Sequence, residues 1–215
     1  DGKVSLAEAL VFAANGFGLV DNVATISIGD ELFKPELGGT GNVATIVVVE
    51  EAFKITEGLS GKKLVIDPGK TDAGHSREVF ITVGHPGRKV ADNATGGVND
   101  TQNADNYRVF QIGKSYDNTS VWDVEFNHVT ANVGYVLASD TAGSVLATDA
   151  HGDGGTIYAH GADVTLTLNA SNIGLSRADG DGGAIYIYAA DGDAKLIANE
   201  GSNIKGAKSH TGNGG

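Results

Sequence analysis

No cysteine occurs in the 215 residues, which removes a disulfide framework, a metal–thiolate site and a cysteine nucleophile together. Proline is scarce, at 3 residues, and the 32 glycines recur at turn-like sites between apolar runs instead of clustering in one linker, so no internal boundary is visible and one domain over 1–215 is expected. Long apolar runs are missing too: the stretch Ala44-Thr45-Ile46-Val47-Val48-Val49 is far too short to cross a bilayer, and the chain is not expected to insert in a membrane. Basic charge is in short supply, 15 Lys and Arg against 27 Asp and Glu. The resulting net charge of −12 repels phosphate backbones and argues against a nucleic-acid partner. The same acidity suits Ca²⁺ binding or plain solubility, and solubility is the commoner reason for it. No charged leader with an apolar core stands at the start, and the sequence stops inside a repeat at Asn213-Gly214-Gly215, so a fragment truncated at its C-terminal end from a longer chain is expected.

One helix is legible. Ser5-Leu6-Ala7-Glu8 fits a capping box, in which the Ser hydroxyl and the Glu carboxylate satisfy each other's free backbone amides. Leu6, Ala9, Leu10 and Ala13 follow at helical spacing, giving a helix near 4–15 that ends at Asn15-Gly16, within an N-terminal cap over 1–20. So short a helix is marginal alone and needs a surface to pack on; the open end of a solenoid supplies one. From Val23 onward the text changes to runs of five to seven residues rich in β-branched and aromatic side chains: VATISI, VATIVVV, KKLVID, EVFITV, YRVFQI, SVWDVEF, VTLTLN, AIYIYA and AKLIAN. Each is bounded by Gly, Asn or Asp.

Internal repetition decides between architectures. Gly152-Asp153-Gly154-Gly155-Thr156-Ile157-Tyr158 returns as Gly180-Asp181-Gly182-Gly183-Ala184-Ile185-Tyr186, and Gly212-Asn213-Gly214-Gly215 begins a third copy. Between them DVTLTLNASNIG at 163–174 returns as DAKLIANEGSNIKG at 193–206, carrying Asn172 to Asn203 and Ile173 to Ile204. A period near 30 residues built of short strands leaves a β-helix or a propeller blade, and blades usually run longer. In a β-helix each coil lies on the one before, so like residues stack in columns, stacked Asn side chains satisfy one another, and a turn glycine recurs at one place. The expectation is an all-β, right-handed parallel β-helix with coils over 21–215, about seven of them at a 30-residue period.

The same residues resemble the pectin-lyase-like β-helices of polymorphic outer-membrane proteins and autotransporter passenger domains. DGKVSLAEALVFAANG at 1–16 is similar to the opening G-S-L-R-E-A-I-x-x-A-N, with Ala7 in place of the Arg. ITEGLSGKKLVIDPGK at 55–70, REVFITV at 77–83 and the echo Tyr107-Arg108-Val109-Phe110-Gln111-Ile112 resemble early coils, and Gly182-Gly183-Ala184-Ile185 matches the family's GGAI. Its partner F-x-x-N, associated with adhesion, is not kept: Phe126 is followed by Asn127, and Val129 stands at the third place. The resemblance implies a secreted or bacterial cell-surface passenger, anchored to the outer membrane through a part outside this chain. Its work would be that of a rigid non-catalytic scaffold, for adhesion or for extracellular matrix or fibre structure. Its partners would be a host or neighbouring-cell surface glycan or protein, or a second copy through coil ends. The alternative is a polysaccharide-binding or polysaccharide-cleaving β-helix, a lyase or hydrolase, since fold does not fix function.

No residue pattern selects a catalytic, cofactor-binding or metal set. Asp149, His151 and Asp153, then Asp179 and Asp181, then Asp191 and Asp193 offer carboxylates two apart, but calcium loops need longer ordered spacing, and solvated turn residues are the plainer reading. Among His75, His85, His128, His151, His160 and His210 no pair has zincin spacing on a helix, although His151 and His160 flank one GDGG turn. Arg77, Arg88, Arg108 and Arg177 are the arginines open to a lyase site, and Arg77 and Arg108 sit in or beside apolar runs. The sequons at Asn93, Asn99, Asn118 and Asn169 arise by chance in a chain so rich in Asn and Thr. The segment 90–106 lacks apolar periodicity and reads as a protruding loop. That loop and the tyrosines Tyr135, Tyr158, Tyr186 and Tyr188 are where a ligand contact is expected, although alternate tyrosines in a strand also serve packing.

Overall fold

The computed structural model describes residues 5–27, 43–48, 52–83, 108–115, 117–132, 135–136, 145–146, 148–150, 153–174, 176–178, 180–209 and 212–214. The loop expected at 90–106 lies outside them, as do His85, Arg88, Asn93, Asn99, His151, Asp179 and His210; for Tyr135, Asp149 and Arg177 the backbone alone is described.

Helix α1 (Leu6–Ala14) starts as the capping box requires. The Glu8 N–H donates to Ser5 Oγ at 3.2 Å and the Ser5 N–H donates to Glu8 Oε2 at 2.8 Å, which satisfies two of the amides that a helix start leaves free. Asn15 closes the helix and Gly16, at φ 86°, turns the chain away. Leu6, Leu10 and Ala13 are buried on one face, which lies against β2 (Val23–Ser27) and β4 (Phe53–Ile55).

The rest is β structure, predominantly in parallel sheets. The first sheet runs β2, β5 (Lys63–Asp67), β8 (Val121–Asn127), β14 (Asp163–Asn169) and β18 (Ala194–Ala198), all parallel, with the two-residue β1 (Leu19–Val20) antiparallel at its edge. The second runs β3 (Val43–Val48), β6 (Glu78–Val83), β9 (Val129–Asn132), β15 (Asn172–Gly174) and β19 (Asn203–Lys205). The third runs β4, β7 (Phe110–Ile112), β13 (Ile157–Gly161) and β17 (Ile185–Ala189). A narrower fourth joins β12 (Thr148–Ala150), β16 (Ser176–Ala178) and β20 (Lys208–Ser209), and β10 (Tyr135–Val136) pairs antiparallel with β11 (Val145–Leu146). From β2 to β19 the chain visits the first, second and third sheets in turn and then returns to the first.

Register follows from alternation. Along β5, β8 and β14 every second residue is buried, so a one-residue slip would carry each apolar set out of the core. Leu64 stands beside Val124 and Val124 beside Leu166; Ile66 beside Phe126 and Phe126 beside Leu168. All six are at most 1% exposed and contribute on the order of 1.5–3 kcal/mol each. Phe110 closes the gap between sheets, its ring 4.8 Å from that of Phe126 and 5.6 Å from that of Phe53.

Two expectations from the repeat hold at residue level: Tyr158 pairs with Tyr186, and Asn172 with Asn203 and Ile173 with Ile204. Among the described residues the first and second sheets each hold five parallel strands, and the residues stacked in one column of the first sheet are separated by 60, then 42, then 30 positions. The spacing near 30 residues belongs to the C-terminal strands, and the earlier strands of the column are separated by longer stretches of chain.

Candidate functional site

The outward face of the third sheet gathers the aromatic and titratable side chains that the sequence singled out. β13 and β17 each place two bulky residues on this face at alternate positions, and the register sets Tyr158 against Tyr186 and His160 against Tyr188. The Tyr158 and Tyr186 rings stack with centroids 5.3 Å apart and planes 12° from parallel; His160 and Tyr188 lie 4.6 Å apart. Across the strand, Tyr158 and His160 are 6.0 Å apart, and the Tyr158 hydroxyl is 3.0 Å from His160 Nδ1. These four side chains form a two-by-two grid.

Its lower half is closed. Tyr158 and His160 are each only 7% exposed, whereas Tyr188 is 43% exposed. Part of the cover is the turn that begins at Asp117, whose Oδ1 accepts the Thr119 N–H at 3.0 Å, the Thr119 hydroxyl at 3.0 Å and the Ser120 N–H at 3.1 Å. Burial works to raise the Asp117 carboxyl, but these hydrogen bonds outweigh it and bring it down to about 2. The turn holds Asn118 Oδ1 3.1 Å from His160 Nε2. With that nitrogen donating, Nδ1 is left to accept the Tyr158 hydroxyl, and the imidazole is neutral. Burial pushes its pKa below the ordinary histidine value, partly countered by the Asp117 charge. Behind Tyr158, the Arg108 guanidinium carbon lies 4.7 Å from the ring centroid while Arg108 Nε donates to the Asp153 carbonyl at 2.9 Å. Arg108 is 3% exposed, so it serves packing and is not a surface group for an acidic substrate.

The acidic turns are also occupied. The Asp181 N–H donates to Asp153 Oδ1 at 2.7 Å, and the Asn213 N–H to Asp181 Oδ1 at 2.5 Å, so each side chain of the repeated GDGG turn caps the next copy. The backbone does the same: Gly154 N–H donates to the Asp181 carbonyl at 2.9 Å and Gly182 N–H to that of Asn213 at 2.8 Å. Gly154, Gly182 and Gly214 share a left-handed φ of 70°, 65° and 78°. Among the described residues no three His, Asp or Glu side chains gather closely enough to hold a metal ion. His75 and Asp191 are exposed, and Asp193 pairs with Lys195 at 2.6 Å.

A polar column missed in the sequence runs along the first sheet. Asn127 Nδ2 donates to Asp67 Oδ2 at 3.1 Å, Asn169 Nδ2 to Asn127 Oδ1 at 2.7 Å, and Asn199 Nδ2 to Asn169 Oδ1 at 2.6 Å. The sequon asparagine Asn169 is thereby a structural link, and Asn118 a partner of His160. The signal was an Asn or Asp closing each of four runs, KLVID, VWDVEFN, DVTLTLN and AKLIAN. A shorter column joins Asn203 Nδ2 to Asn172 Oδ1 at 3.0 Å.

No family model, no curated protein and no solved structure matches this chain.

Proposed function

We propose that this chain is part of a right-handed parallel β-helix that acts as a stiff, non-catalytic scaffold, secreted or displayed at a bacterial surface, where it presents adhesive side chains and loops. The observation that carries the reading is the cyclic return of the chain to the same three parallel sheets, with repeat-related residues in register: Tyr158 on Tyr186, Leu166 on Leu196 and Asn172 on Asn203. Parallel strands joined by crossovers in one direction are right-handed in nearly all known cases. The polar groups speak for a scaffold. Asp153, Asp181, Asn127, Asn169, Asn172 and Ser171 spend their hydrogen bonds between neighbouring strands, as supports for adjacent rounds, and do not converge on a cleft. The surface-display part rests on the likeness of residues 1–16 and 182–185 to passenger domains.

Incubation with a panel of neutral and acidic polysaccharides is expected to yield neither reducing ends nor unsaturated products. Turnover of any member at a rate proportional to protein concentration would overturn the scaffold reading. Labelling of intact cells with an antibody to this chain tests display; signal only after lysis would contradict it.

A further inference from the structure

The chain has no cysteine, so no disulfide can tie one strand of a sheet to the next. Tyr158 and Tyr186 are placed to do so by another chemistry. They are register partners on the neighbouring parallel strands β13 and β17, with ring centroids 5.3 Å apart and planes 12° from parallel, so the two phenol rings lie face to face across one strand spacing. The Tyr158 hydroxyl also has a proton acceptor at hand. His160 Nδ1 lies 3.0 Å from it, and with His160 Nε2–H donating to Asn118 Oδ1 at 3.1 Å, Nδ1 carries the lone pair that can take a proton. Tyr158 and His160 are each 7% exposed, on a strand flanked by β7 on one side and β17 on the other. Behind the ring, the Arg108 guanidinium carbon stands 4.7 Å from the Tyr158 centroid. That charge opposes any oxidation of Tyr158 that leaves a cation on the ring, and permits one in which the electron and the phenol proton leave together.

We propose that Tyr158 and Tyr186 are an oxidative cross-linking pair, in which a one-electron oxidant joins the two rings and staples β13 to β17, with His160 accepting the Tyr158 proton. In the first step Tyr158 gives an electron to the oxidant and its hydroxyl proton to His160 Nδ1. This leaves a neutral phenoxyl radical, its unpaired electron shared between the oxygen and the ring carbons ortho to it. Tyr186 gives a second electron to the oxidant and its proton to water. The two radicals then pair in a carbon–carbon bond between ortho carbons, after which each bonded carbon loses its hydrogen as a proton, each oxygen regains one, and both rings are phenols again. His160 returns its proton to solvent, so in sum two electrons and two protons leave. No step requires either ring to be open to solvent, because an electron crosses several ångströms of protein without contact. The chemistry stands whether or not the chain is a scaffold; in a scaffold it ties neighbouring strands covalently.

The test is irradiation of the whole chain, kept dilute, with ruthenium tris-bipyridyl and persulfate, which generate a complex that removes single electrons; intact mass, gel mobility and peptide mapping follow. The expected product is a monomer lighter by two hydrogen atoms, with dityrosine fluorescence and a linked pair of peptides whose fragmentation joins Tyr158 to Tyr186. Tyr158→Phe and Tyr186→Phe keep the rings and lose only the hydroxyls, and each is expected to abolish that product. Tyr188→Phe, which removes the phenol stacked on His160, is expected to leave its yield unchanged. His160→Gln is expected to slow its formation about tenfold, less than a positioned base usually contributes, because water remains an alternative acceptor. Dityrosine found only between chains, or only through other tyrosines, would overturn the pairing, as would survival of the linked product in Tyr158→Phe. A parental rate in His160→Gln would overturn the role of the imidazole. One reading needs no variant: equal rates in heavy and ordinary water would exclude joint departure of the electron and proton from Tyr158.

Discussion

Replacing Gly182 with Ala tests the stacked-turn arrangement more sharply than any core truncation. Gly182 has φ 65°, and a Cβ there would sit 2.3 Å from the Ile185 carbonyl oxygen, 2.8 Å from its carbon and 3.0 Å from Tyr186 Cα. All three are backbone atoms of the strand that the turn feeds, so no side chain can rotate aside. Gly61 is the control: its φ is 72°, and a Cβ there meets nothing within 4 Å. Both substitutions force an L residue into the left-handed region, at about 1–2 kcal/mol, partly offset by about 0.4–1 kcal/mol from the stiffer unfolded chain. Gly61→Ala is therefore expected to cost about 1 kcal/mol. Gly182→Ala must in addition move the turn by roughly 1 Å to restore ordinary contact, which loosens Gly182 N–H to Asn213 (2.8 Å) and Gly183 N–H to Gly214 (2.7 Å). At about 1 kcal/mol for each weakened bond the total comes to about 3 kcal/mol. Stacked repeats can lose all-or-none unfolding, so the readout is native-state hydrogen exchange at Ile185 and Tyr186 alongside the melting curve. Equal losses for the two variants would refute the steric argument and leave only the φ penalty.

Ser171→Ala is expected to cost about 1–3 kcal/mol by denaturant unfolding, because Ser171 Oγ is buried, accepts the Val129 N–H at 3.1 Å and donates to the Phe126 carbonyl at 2.9 Å. Acidification should destabilise the protein in two stages. His160, held neutral with a lowered pKa, contributes stability that starts to go as pH falls below its ordinary value of 6.5. Asp117, held at about 2 against an ordinary 3.8, contributes stability that is complete above 3.8 and lost on the way down to 2, about 1 kcal/mol once solvent screening is allowed for. Asp117→Asn should shrink the lower stage in a plot of melting temperature against pH and extend the upper one to lower pH, because it also removes the charge that partly counters the lowering at His160. Asn127→Asp should reverse the local slope, since two carboxylates facing each other at Asp67 and residue 127 share a proton best in acid. Its deficit of about 1–3 kcal/mol at pH 7 should shrink toward pH 4, and a constant deficit would refute the column as drawn.

Much of the strand layout was legible because alternation reports burial. Each of the nine runs read as β from the sequence contains a strand, YRVFQI only over Phe110–Ile112, and the helix lies inside its expected bounds. What stayed hidden is short or non-local. Phe53–Ile55 and Asn172–Gly174 are three residues long, too few for a period of two to show. Ile157–Gly161 is buried at every position, so its pattern carries no face. Tyr158 and His160 are closed because β13 lies between β7 and β17, whereas Tyr188 stands on the edge strand; the further contact from Asn118, 42 residues before His160, could not be read from the repeat. Arg108, marked for a lyase site, is consumed by Asp153 and Tyr158.

The uneven spacing of stacked residues and the missed asparagine column have one physical origin. Neighbouring strands are matched by what faces what across about 4.8 Å, and the length of chain between them enters only through a loop-closure cost that grows slowly with length. A separation of 60 residues and one of 30 therefore end in the same alignment, Asn127 on Asp67 and Asn199 on Asn169. The column also has a direction. An amide both donates and accepts, so asparagines can continue it, whereas an ionised carboxylate only accepts and can stand only where no donation is asked of it. Asp67 occupies that place, receiving Asn127 on Oδ2 and, on Oδ1, the Gly69 N–H of its own turn at 2.7 Å. Reading such a chain by columns, asking which runs close on the same polar type and where the single acid falls, recovers alignment that a search for a fixed period misses once its connections vary in length.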